Sequence, residues 1–349
     1  MYGDNMDKTE KVKRIMVTGA AGFVGSSMSE RQLELGHNVH GIDNFITGSQ
    51  SNIQRLNKHP GFHFDQIDIN NQDDLHRVLK EQYDEIYHFA CPTGVPNISV
   101  YGEEMLRTCS QGTENVLRVA QQHKASLVYA SSAEVYGDPE VFPQREDYFG
   151  NVDPVGERST YEEGKRFGET LVKLYAQKYK VNAKFVRIFN SYGPNMSRSD
   201  TRIIPNSLAK VIAKKPLTIF GNGEQTRTHL HVSDLLNGLE IVMDKGENAT
   251  PYNVGSNKRM SINQLVKTLS QIVGRELPVQ YKEHFIEDHG GREPDVSAIM
   301  RLGWRMNTDL KTGLTAMCRE YGIDVKTAPA KTLSSPPVWP SHNIHELPA

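Results

Sequence analysis

Tyr161 and Lys165, four residues apart in the segment Ser159–Lys165, are the side chains whose types and spacing most directly suggest chemistry. On an α-helix the two residues lie on one face, one turn apart. A lysine cation there favours the phenolate form of the tyrosine, so the pair can take a proton from a substrate hydroxyl near neutral pH. Any amphipathic helix can contain this spacing by chance, so its meaning depends on what accompanies it.

A glycine-rich segment near the start of the chain gives the tyrosine–lysine pair its meaning. The apolar run Arg14–Thr18 is followed by Gly19, Gly22 and Gly25, and then by the helical pattern Ser26–Leu35. Glycines let the backbone turn tightly and approach a pyrophosphate. The N-terminus of the following helix favours the negative charge of the pyrophosphate. A second apolar run ends in Asp43, whose carboxylate suits a ribose diol and repels an additional phosphate. These features predict NAD rather than NADP, and with the pair they indicate hydride transfer.

The composition fits an enzyme of 349 residues with one large core, or with a nucleotide-binding domain and a smaller lobe. The formal net charge of -2 gives no general affinity for nucleic acid. No apolar run approaches membrane-spanning length, and the first residues lack a signal-peptide core. Cys91, Cys109 and Cys318 are not clustered in the sequence, so neither a disulfide framework nor a metal site is expected. The sequence predicts a cytoplasmic protein without nucleic-acid or membrane partners.

Apolar runs typical of buried strands alternate with helical patterns through the first 189 residues. The strand candidates are Arg14–Thr18, Asn38–Ile42, Phe62–Asp65, Glu85–Ala90, Ser126–Ser131 and Ala183–Phe189. The helical stretches are Ser26–Leu35, Asp73–Glu81, Glu103–His123 and Tyr161–Tyr179. Such alternation predicts an α/β fold with a doubly wound, parallel sheet of the Rossmann type.

The pattern becomes irregular after Asn190, although Ser261–Val273 and Asp309–Tyr321 again look helical. We therefore predict an NAD-binding domain over residues 13–189, to which the chain returns around 226–255. Residues 190–225 and 256–325 are expected to form a smaller, mixed α/β lobe that binds substrate. Residues 1–12 and the proline-containing segment 327–349 are expected to be poorly ordered extensions.

Several segments of the chain, spread from about Lys13 to Tyr321, resemble the extended short-chain dehydrogenase/reductases that act on nucleotide sugars. They are Asp43–Gly48, His88–Pro92, Ser131–Pro139, Glu146–Gly150, Tyr161–Arg166, Arg187–Pro194 and Gln225–Arg227. Within that family they are most similar to the UDP-glucuronate decarboxylases, which form UDP-xylose. The resemblance implies a tightly held NAD, oxidation of the sugar at C4, loss of CO2 from the resulting β-keto acid, and return of the hydride to C4.

The resemblance also implies roles for individual residues. Tyr161 would take the proton of the C4 hydroxyl, Ser132 would hydrogen-bond that hydroxyl, and Lys165 would tune the tyrosine and bind the nicotinamide ribose. The implied cofactor-binding residues are Gly19, Gly22, Phe23, Val24, Gly25, Asp43, Asn44, Asp68, Ile69, Tyr161 and Lys165. The implied substrate-binding residues are Pro92 over the sugar, Asn190 and Arg227 at the diphosphate, Phe220 against uracil, and Arg292.

Glu134 and Arg292 bear on which reaction follows oxidation at C4. By resemblance, Glu134 would disfavour the ionised substrate carboxylate or orient a water. Arg292 would bind the departing carboxylate or protonate C5 through water, although relatives also use such an arginine to grip the diphosphate. Ala133 departs from the hydroxyl residue that decarboxylases commonly carry there. A nucleotide-sugar 4-epimerase or dehydratase therefore stays open, as does a catalytically silent sensor of NAD or nucleotide sugars on the same fold.

A homodimer is also expected from the resemblance. In the family, helices that match Glu103–His123 and Tyr161–Tyr179 pair with those of a second copy as a four-helix bundle. The second of these helices carries an apolar stripe at helical spacing, which could equally face the sheet. The stripe consists of Phe167, Leu171, Leu174 and Tyr175.

Overall fold

A parallel sheet of seven strands dominates the computed structural model, which describes residues 11–78, 80–198, 200–283 and 291–326. The strands are β1 (Arg14–Thr18), β2 (Asn38–Asp43), β3 (Phe62–Gln66), β4 (Glu85–His88), β5 (Ser126–Ser132), β6 (Ala183–Ile188) and β11 (Pro251–Val254). Their spatial order is β3-β2-β1-β4-β5-β6-β11, and every neighbouring pair is parallel. The strand order reverses between β1 and β4, which is where open α/β sheets bind ligands.

Helices cover both faces of this sheet. In the first part of the chain they are α1 (Phe23–Glu34), α2 (Gln50–Leu56), α3 (Gln72–Val78), α4 (Val95–Arg107), α5 (Thr113–His123) and α6 (Ser159–Tyr179). Successive residues of β1 face opposite sides, because Ile15 and Val17 pack in one core with α1 while Met16 packs in the other with α5 and α6. The predicted doubly wound Rossmann fold is confirmed.

One predicted helix has a different form. The segment expected as a single helix over Glu103–His123 consists of α4, a π-helical turn at Thr108–Gly112 and α5. The helical segment also begins earlier, at Val95, where Pro96 is compatible with the first turn because the first amide groups of a helix need no partner. Inside α4 the backbone departs from helical geometry at Tyr101, with φ -123° and ψ 26°. A second predicted helix, Asp73–Glu81, ends at Val78 instead.

Some of the remaining elements build a third apolar core beside the sheet. The remaining elements are β7 (Ser191–Tyr192), α7 (Ile203–Ile212), β8 (Leu217–Phe220), β9 (Thr226–Thr228), β10 (Leu230–His231), α8 (Val232–Lys245), β12 (Arg259–Ser261), α9 (Ile262–Val273), β13 (Val279–Lys282), α10 (Ser297–Arg301) and α11 (Leu310–Glu320). Helices α7, α9 and α11 supply this core, whereas α8 packs on the main sheet with α1. The domain limits stay a prediction, and residues 1–10 and 327–349 of the expected extensions lie outside the described residues.

Within the residues that the structure describes, no helix combines the length and apolar character needed to cross a lipid bilayer.

Candidate active site

The carboxyl end of β5 places two candidate residues side by side. Ser132 is the last residue of this strand, and a short 3₁₀ turn, Ala133–Tyr136, follows at once. The Ser132 hydroxyl accepts the backbone N–H of Glu134 at 3.2 Å and so caps the turn. Besides capping the turn, Ser132 hydrogen-bonds the Tyr161 side chain. A strand that ends this way directs both Ser132 and Glu134 to the edge where parallel sheets bind ligands.

Tyr161 and Lys165 lie on one face of α6, as their spacing predicts. The Lys165 ammonium donates a hydrogen bond to the Ala130 carbonyl oxygen at 2.8 Å and lies 5.8 Å from the centre of the Tyr161 ring. Lys165 is buried, whereas Tyr161 keeps part of its surface exposed, so a ligand can reach its hydroxyl. The structure thus brings Ser132, Tyr161 and Lys165 together.

The protonation state of Tyr161 differs from the expectation. Burial raises the pKa of Tyr161 to about 12, although Lys165 and the hydrogen bond from Ser132 act to lower it. Burial opposes the charge of Lys165, but the neighbouring Cys91, Cys109 and Tyr161 raise the pKa of Lys165 above its usual value. The lysine therefore stays protonated, yet by itself it does not bring the phenolate near neutral pH. One positive charge does not overcome the desolvation of the phenolate.

Glu134 lies in a chain of four charged side chains. Its Oε2 is 2.5 Å from an Arg158 amino group and 3.2 Å from an Arg292 amino group, and the Nε of Arg158 donates to Glu162 at 3.2 Å. Burial acts to raise the pKa of Glu134, but Arg292 and Arg158 outweigh it and hold that pKa at about 2. Glu134 is consequently ionised at neutral pH.

Arg292 is buried and fixed by its backbone as well as its side chain. One amino group donates to the Gly137 carbonyl oxygen at 2.6 Å, and the Arg292 carbonyl oxygen accepts from the Thr228 hydroxyl at 3.2 Å. The next residue donates its backbone N–H to the Gln144 side chain at 2.7 Å. The segment after residue 290 is thereby anchored where the guanidinium meets Glu134.

Arg158 is a charged residue of this site that the sequence did not single out. It stands three residues before Tyr161, at the N-terminal end of α6, and its side chain is only 16% exposed. Its position beside the tyrosine motif was a signal, but nothing in the sequence connected it to Glu134, which lies 24 residues earlier.

The glycine motif is shaped to let a ligand approach the backbone. Gly19 has φ +71°, and its N–H donates to the Ile42 carbonyl oxygen at 2.9 Å. A Cβ at Gly25 would overlap the Gly19 carbonyl oxygen, and one at Gly19 would lie 2.8 Å from the Ala90 nitrogen. Gly22 caps α1 without any side-chain partner, so the first amides of that helix are left for a ligand. These residues fit a dinucleotide pyrophosphate.

Asp43, the last residue of β2, holds the glycine motif in place. Its carboxylate accepts the backbone N–H groups of Ala21 at 3.0 Å and of Phe45 at 2.7 Å. Burial raises the pKa of Asp43, while these hydrogen bonds lower it. Each carboxylate oxygen keeps a second lone pair, so the hydrogen bonds leave room for a ribose diol.

The other expected cofactor residues follow the ends of the same strands. Asn44 comes directly after β2, and its side-chain oxygen accepts the N–H of Ile46 at 3.2 Å. Asp68 and Ile69 come shortly after β3, where Asp68 accepts the N–H of Asn70 at 2.9 Å and Ile69 is buried. Phe23 and Val24 open α1, and the Phe23 ring lies 5.7 Å from the Arg202 guanidinium. Pro92 is buried in the loop between β4 and α4.

Three expected substrate residues line one cavity of about 250 Å³. They are Asn190 after β6, Phe220 at the end of β8 and Arg227 in β9. Arg202, Gln225 and His229, which the sequence did not assign to the site, also line it. Burial lowers the pKa of His229 to about 4, so its imidazole is neutral at pH 7. Phe220 is 39% exposed, so its ring is accessible to a ligand in this cavity.

Comparison with known proteins identifies the class to which this fold and site belong. A family model described as the NAD dependent epimerase/dehydratase family matches residues 15–255. That match covers more than half of the chain, so the chain belongs to the NAD dependent epimerase/dehydratase family. The resemblance that the sequence motifs indicated is confirmed, and NAD is the cofactor of the family.

Individual proteins of known activity are similar to this chain over most of its length. UDP-glucuronic acid decarboxylase 1 of Xenopus tropicalis is 39% identical over 303 residues, which are 86% of this chain and 70% of that protein. UDP-glucuronic acid decarboxylase 4 of Arabidopsis thaliana is 37% identical over 89% of this chain and 69% of its own length. Among solved structures, UDP-glucuronic acid 4-epimerase of Bacillus cereus, in complex with UDP-glucuronic acid and NAD, is 27% identical with a TM-score of 0.78. That similarity covers 89% of this chain and 98% of the epimerase.

Proposed function

We propose that this protein is a UDP-glucuronate decarboxylase that forms UDP-xylose and returns its NAD unchanged at the end of each cycle. The observation that carries the proposal is the ion pair of Glu134 and Arg292, held beside Ser132 and Tyr161 at the end of β5. The names of the two decarboxylase relatives, from an animal and a plant, support it.

In the proposed first step, Tyr161 takes the proton of the C4 hydroxyl while Ser132 hydrogen-bonds the same oxygen. NAD, when bound, accepts hydride from C4, later returns it, and brings the positive charge of its oxidised ring to the pocket. That positive charge lowers the pKa of Tyr161, as the Lys165 ammonium does. With the ammonium alone, the pKa of Tyr161 stays at about 12. Gly19, Gly22 and Asp43 are the residues proposed to hold the dinucleotide.

In the proposed second step, the C4 ketone lets the bond between C5 and the carboxylate break, because the electron pair of that bond flows into the ketone as an enolate. Tyr161, now protonated, and Ser132 donate hydrogen bonds to the developing oxygen charge. A carboxylate with a pKa of about 2 is a poor proton donor at pH 7, which argues against Glu134 as the direct source of the C5 proton. We assign to Glu134 the task of disfavouring the substrate carboxylate and of orienting the water that protonates C5, which converts the enolate back to the C4 ketone before hydride returns. To Arg292 we assign the binding of the carboxylate.

The nucleotide end of the substrate is proposed to occupy the cavity lined by Asn190, Phe220 and Arg227. A guanidinium matches two anionic oxygens of a diphosphate, and an exposed aromatic ring offers an apolar face to a pyrimidine. Arg202, which lines the same cavity, adds a second cation for the diphosphate.

A 4-epimerase acting on a nucleotide sugar remains the second candidate. It is favoured by the structural similarity to the Bacillus cereus epimerase and by Ala133, which stands where decarboxylases commonly carry a hydroxyl residue. The two candidates share C4 oxidation and differ in whether the carboxylate leaves.

Incubation with UDP-glucuronate carrying ¹³C in its carboxylate separates the two candidates. Purified protein, with UDP-galacturonate, UDP-glucose and UDP-N-acetylglucosamine as parallel substrates, is followed by NMR and mass spectrometry. Labelled CO2 and UDP-xylose are expected from UDP-glucuronate alone. An isomer that retains the label would establish epimerisation, loss of water would establish dehydration, and bound but unchanged sugars would indicate a silent sensor.

We also propose a homodimer in which the outer faces of α4 and α6 meet a second copy. The apolar stripe of α6 is divided, since Tyr175 is buried against the sheet while Phe167 and Leu174 are about half exposed. Val100 and Leu106 of the adjoining α4 are exposed as well. Sedimentation at micromolar concentration should give a dimer that the double substitution Phe167→Glu and Leu174→Glu dissociates. Val12→Glu, at another exposed apolar residue, is the control, and a monomeric parent protein would contradict the proposal.

The compartment that we propose is the cytoplasm. Support comes from the cysteines of the described residues, because Cys91, Cys109 and Cys318 are all unpaired. The sulfurs of Cys91 and Cys109 lie 3.5 Å apart without a bond, which suits a reducing environment. Immunofluorescence or fractionation checks this, and enrichment in a secretory compartment would contradict it.

A further inference from the structure

Two imidazoles and a carboxylate meet at the outer edge of the main sheet, where β2 pairs with β3. In the parallel pairing of β2 with β3, His40 lies opposite His63. Asp65 follows His63 by two residues on β3, so its side chain projects from the same face of the sheet. The three residues, which we call the edge triad, lie far apart in the sequence and are brought together only by the register of the strands.

The donor atoms of the edge triad have a spacing typical of metal ligands. His40 Nε2 lies 3.2 Å and His63 Nε2 lies 3.4 Å from the same oxygen, Oδ2 of Asp65. All three donor atoms lie within 4.8 Å of one another. Zinc bonds of about 2.0–2.1 Å in tetrahedral geometry place neighbouring ligand atoms roughly 3.4 Å apart. Two of the three separations therefore match already, and rotation of the exposed His63 ring adjusts the third.

The surroundings of His40 orient it as a ligand. Its side chain is 3% exposed, and its Nδ1 lies 2.6 Å from the hydroxyl of the buried Tyr83. Its Nε2 is buried and faces Asp65 Oδ2 at 3.2 Å. Metal-binding histidines characteristically use one ring nitrogen for the ion and hydrogen-bond the other, which fixes the ring.

We propose that the edge triad binds one divalent transition-metal ion, of which zinc suits the ligands best. Two nitrogens and one carboxylate oxygen favour zinc, cobalt or nickel over magnesium or calcium, which prefer oxygen ligands alone. His63 is exposed and Asp65 is partly exposed, so a water completes the fourth position. The ion is structural in effect, because it ties the outermost strand to its neighbour.

The location of the edge triad connects the ion to the nucleotide site. Asp43 ends β2 three residues after His40, and Asp68 follows Asp65 by three residues. A metal ion that joins β2 to β3 therefore holds in place the two strand ends that carry the expected adenosine-binding residues. The expected result is a melting temperature that rises by a few degrees when the ion is added, since a ligand that binds only the folded state stabilises it.

Metal binding can be measured directly on the full-length, tag-free protein after dialysis against a chelator. Calorimetric titration with zinc chloride and visible absorption with cobalt chloride should each report one equivalent per chain, the cobalt bands showing a four-coordinate site. His63→Gln and Asp65→Asn should lower the affinity about tenfold or more. Both substitutions are at exposed or partly exposed positions, so the fold is expected to survive them.

His59→Gln is the matched control, because His59 is an exposed histidine in the turn before β3. It should bind zinc like the parent protein and show the same rise in melting temperature. Absence of binding by the parent at 50-fold excess of either metal over about micromolar protein would overturn the proposal. Equal affinities of the parent, His63→Gln and Asp65→Asn would also overturn it, since the ion would then lie elsewhere.

Discussion

Two parts of the active site, joined by the short segment from Ser132 to Glu134, shift the pKa of an ionisable group in opposite directions. In the tyrosine corner (Ser132, Tyr161 and Lys165), burial raises the pKa of the phenol to about 12 in spite of one lysine. In the carboxylate corner (Glu134, Arg158 and Arg292), two arginines outweigh burial and hold the pKa of Glu134 at about 2. The number of opposing charges decides which effect dominates. In the mechanism that we propose, the tyrosine corner changes its protonation state during a cycle, whereas the carboxylate corner keeps a fixed charge.

The largest effect should come from removing the group whose protonation changes. Tyr161→Phe is expected to lower kcat by about a thousandfold, because proton transfer by a positioned group contributes roughly 10²–10⁴. Binding of UDP-glucuronate, measured by calorimetry, should change little, since the ring and its packing remain. Lys165→Met should also bind the sugar nucleotide but lose activity. A Tyr161→Phe enzyme with full turnover would remove Tyr161 as the base.

Arg292 should give the next largest effect and one that is specific to decarboxylation. Arg292→Lys keeps a cation near Glu134 but loses the second amino group, which donates to the Gly137 carbonyl oxygen. CO2 release is expected to fall about a hundredfold. Oxidation at C4, followed by reduced cofactor absorbance at 340 nm in single turnovers, should persist. If both steps fall equally, Arg292 acts on overall binding instead, for example at the diphosphate.

How much of this site the sequence predicts depends on how local each interaction is. The tyrosine corner is largely local, because Tyr161 and Lys165 are one helical turn apart, and the glycine motif is a continuous segment. The carboxylate corner joins residues 134, 158 and 292, so only the folded chain shows that Arg158 belongs to it. The raised pKa of Tyr161 also could not be predicted from the sequence, because desolvation of the phenol depends on the surrounding packing.

Features of the fold were likewise predictable from the sequence only where the interacting residues are close together in the chain. The parallel sheet follows from alternating local patterns, so its class and most strand limits were predictable. The π-helical turn at Thr108–Gly112 was not predictable, because the sequence of this segment is compatible with an ordinary α-helix. Its packing depends on residues that are distant in the sequence. A Cβ at Gly112 would lie 2.8 Å from the Ile69 side chain, which belongs to a different part of the chain. The edge triad was missed for the same reason, since cross-strand register is invisible in one sequence.

Arg158→Met should have an intermediate effect, because it leaves Glu134 with a single arginine. Turnover at pH 7.5 is expected to fall about tenfold, and the pKa of Glu134 to rise toward its ordinary value of 4.5. The acid limb of the kcat/KM profile should therefore move to higher pH, which a merely structural role would not produce. Arg158→Lys should restore most of both properties.

Stability gives an independent check on Arg158. A carboxylate whose pKa is lowered by folding stabilises the native state above its unfolded pKa of 4.5, and that contribution is lost as the pH falls toward about 2. At pH 7 Arg158→Met should be less stable to urea than the parent, and the difference should shrink as the pH drops below 4.5. Arg145→Met, which removes an exposed ion pair with Asp147 outside α4 and α6, is the control and should be nearly neutral. An unchanged acid limb and unchanged stability would mean that Arg158 does not hold Glu134 charged.

Ala133→Ser should have the smallest effect, although Ala133 lies between the two corners. Its side chain is buried with Val135, Tyr136 and Phe189, so an added hydroxyl meets apolar neighbours and costs about 1 kcal/mol of stability. The backbone of the turn is set by the Ser132 cap, which the substitution leaves intact. Turnover should stay within about threefold of the parent, with UDP-xylose still the product. A change of product from UDP-xylose to an isomer, or a fall in turnover beyond about tenfold, would show that Ala133 couples the tyrosine corner to the carboxylate corner.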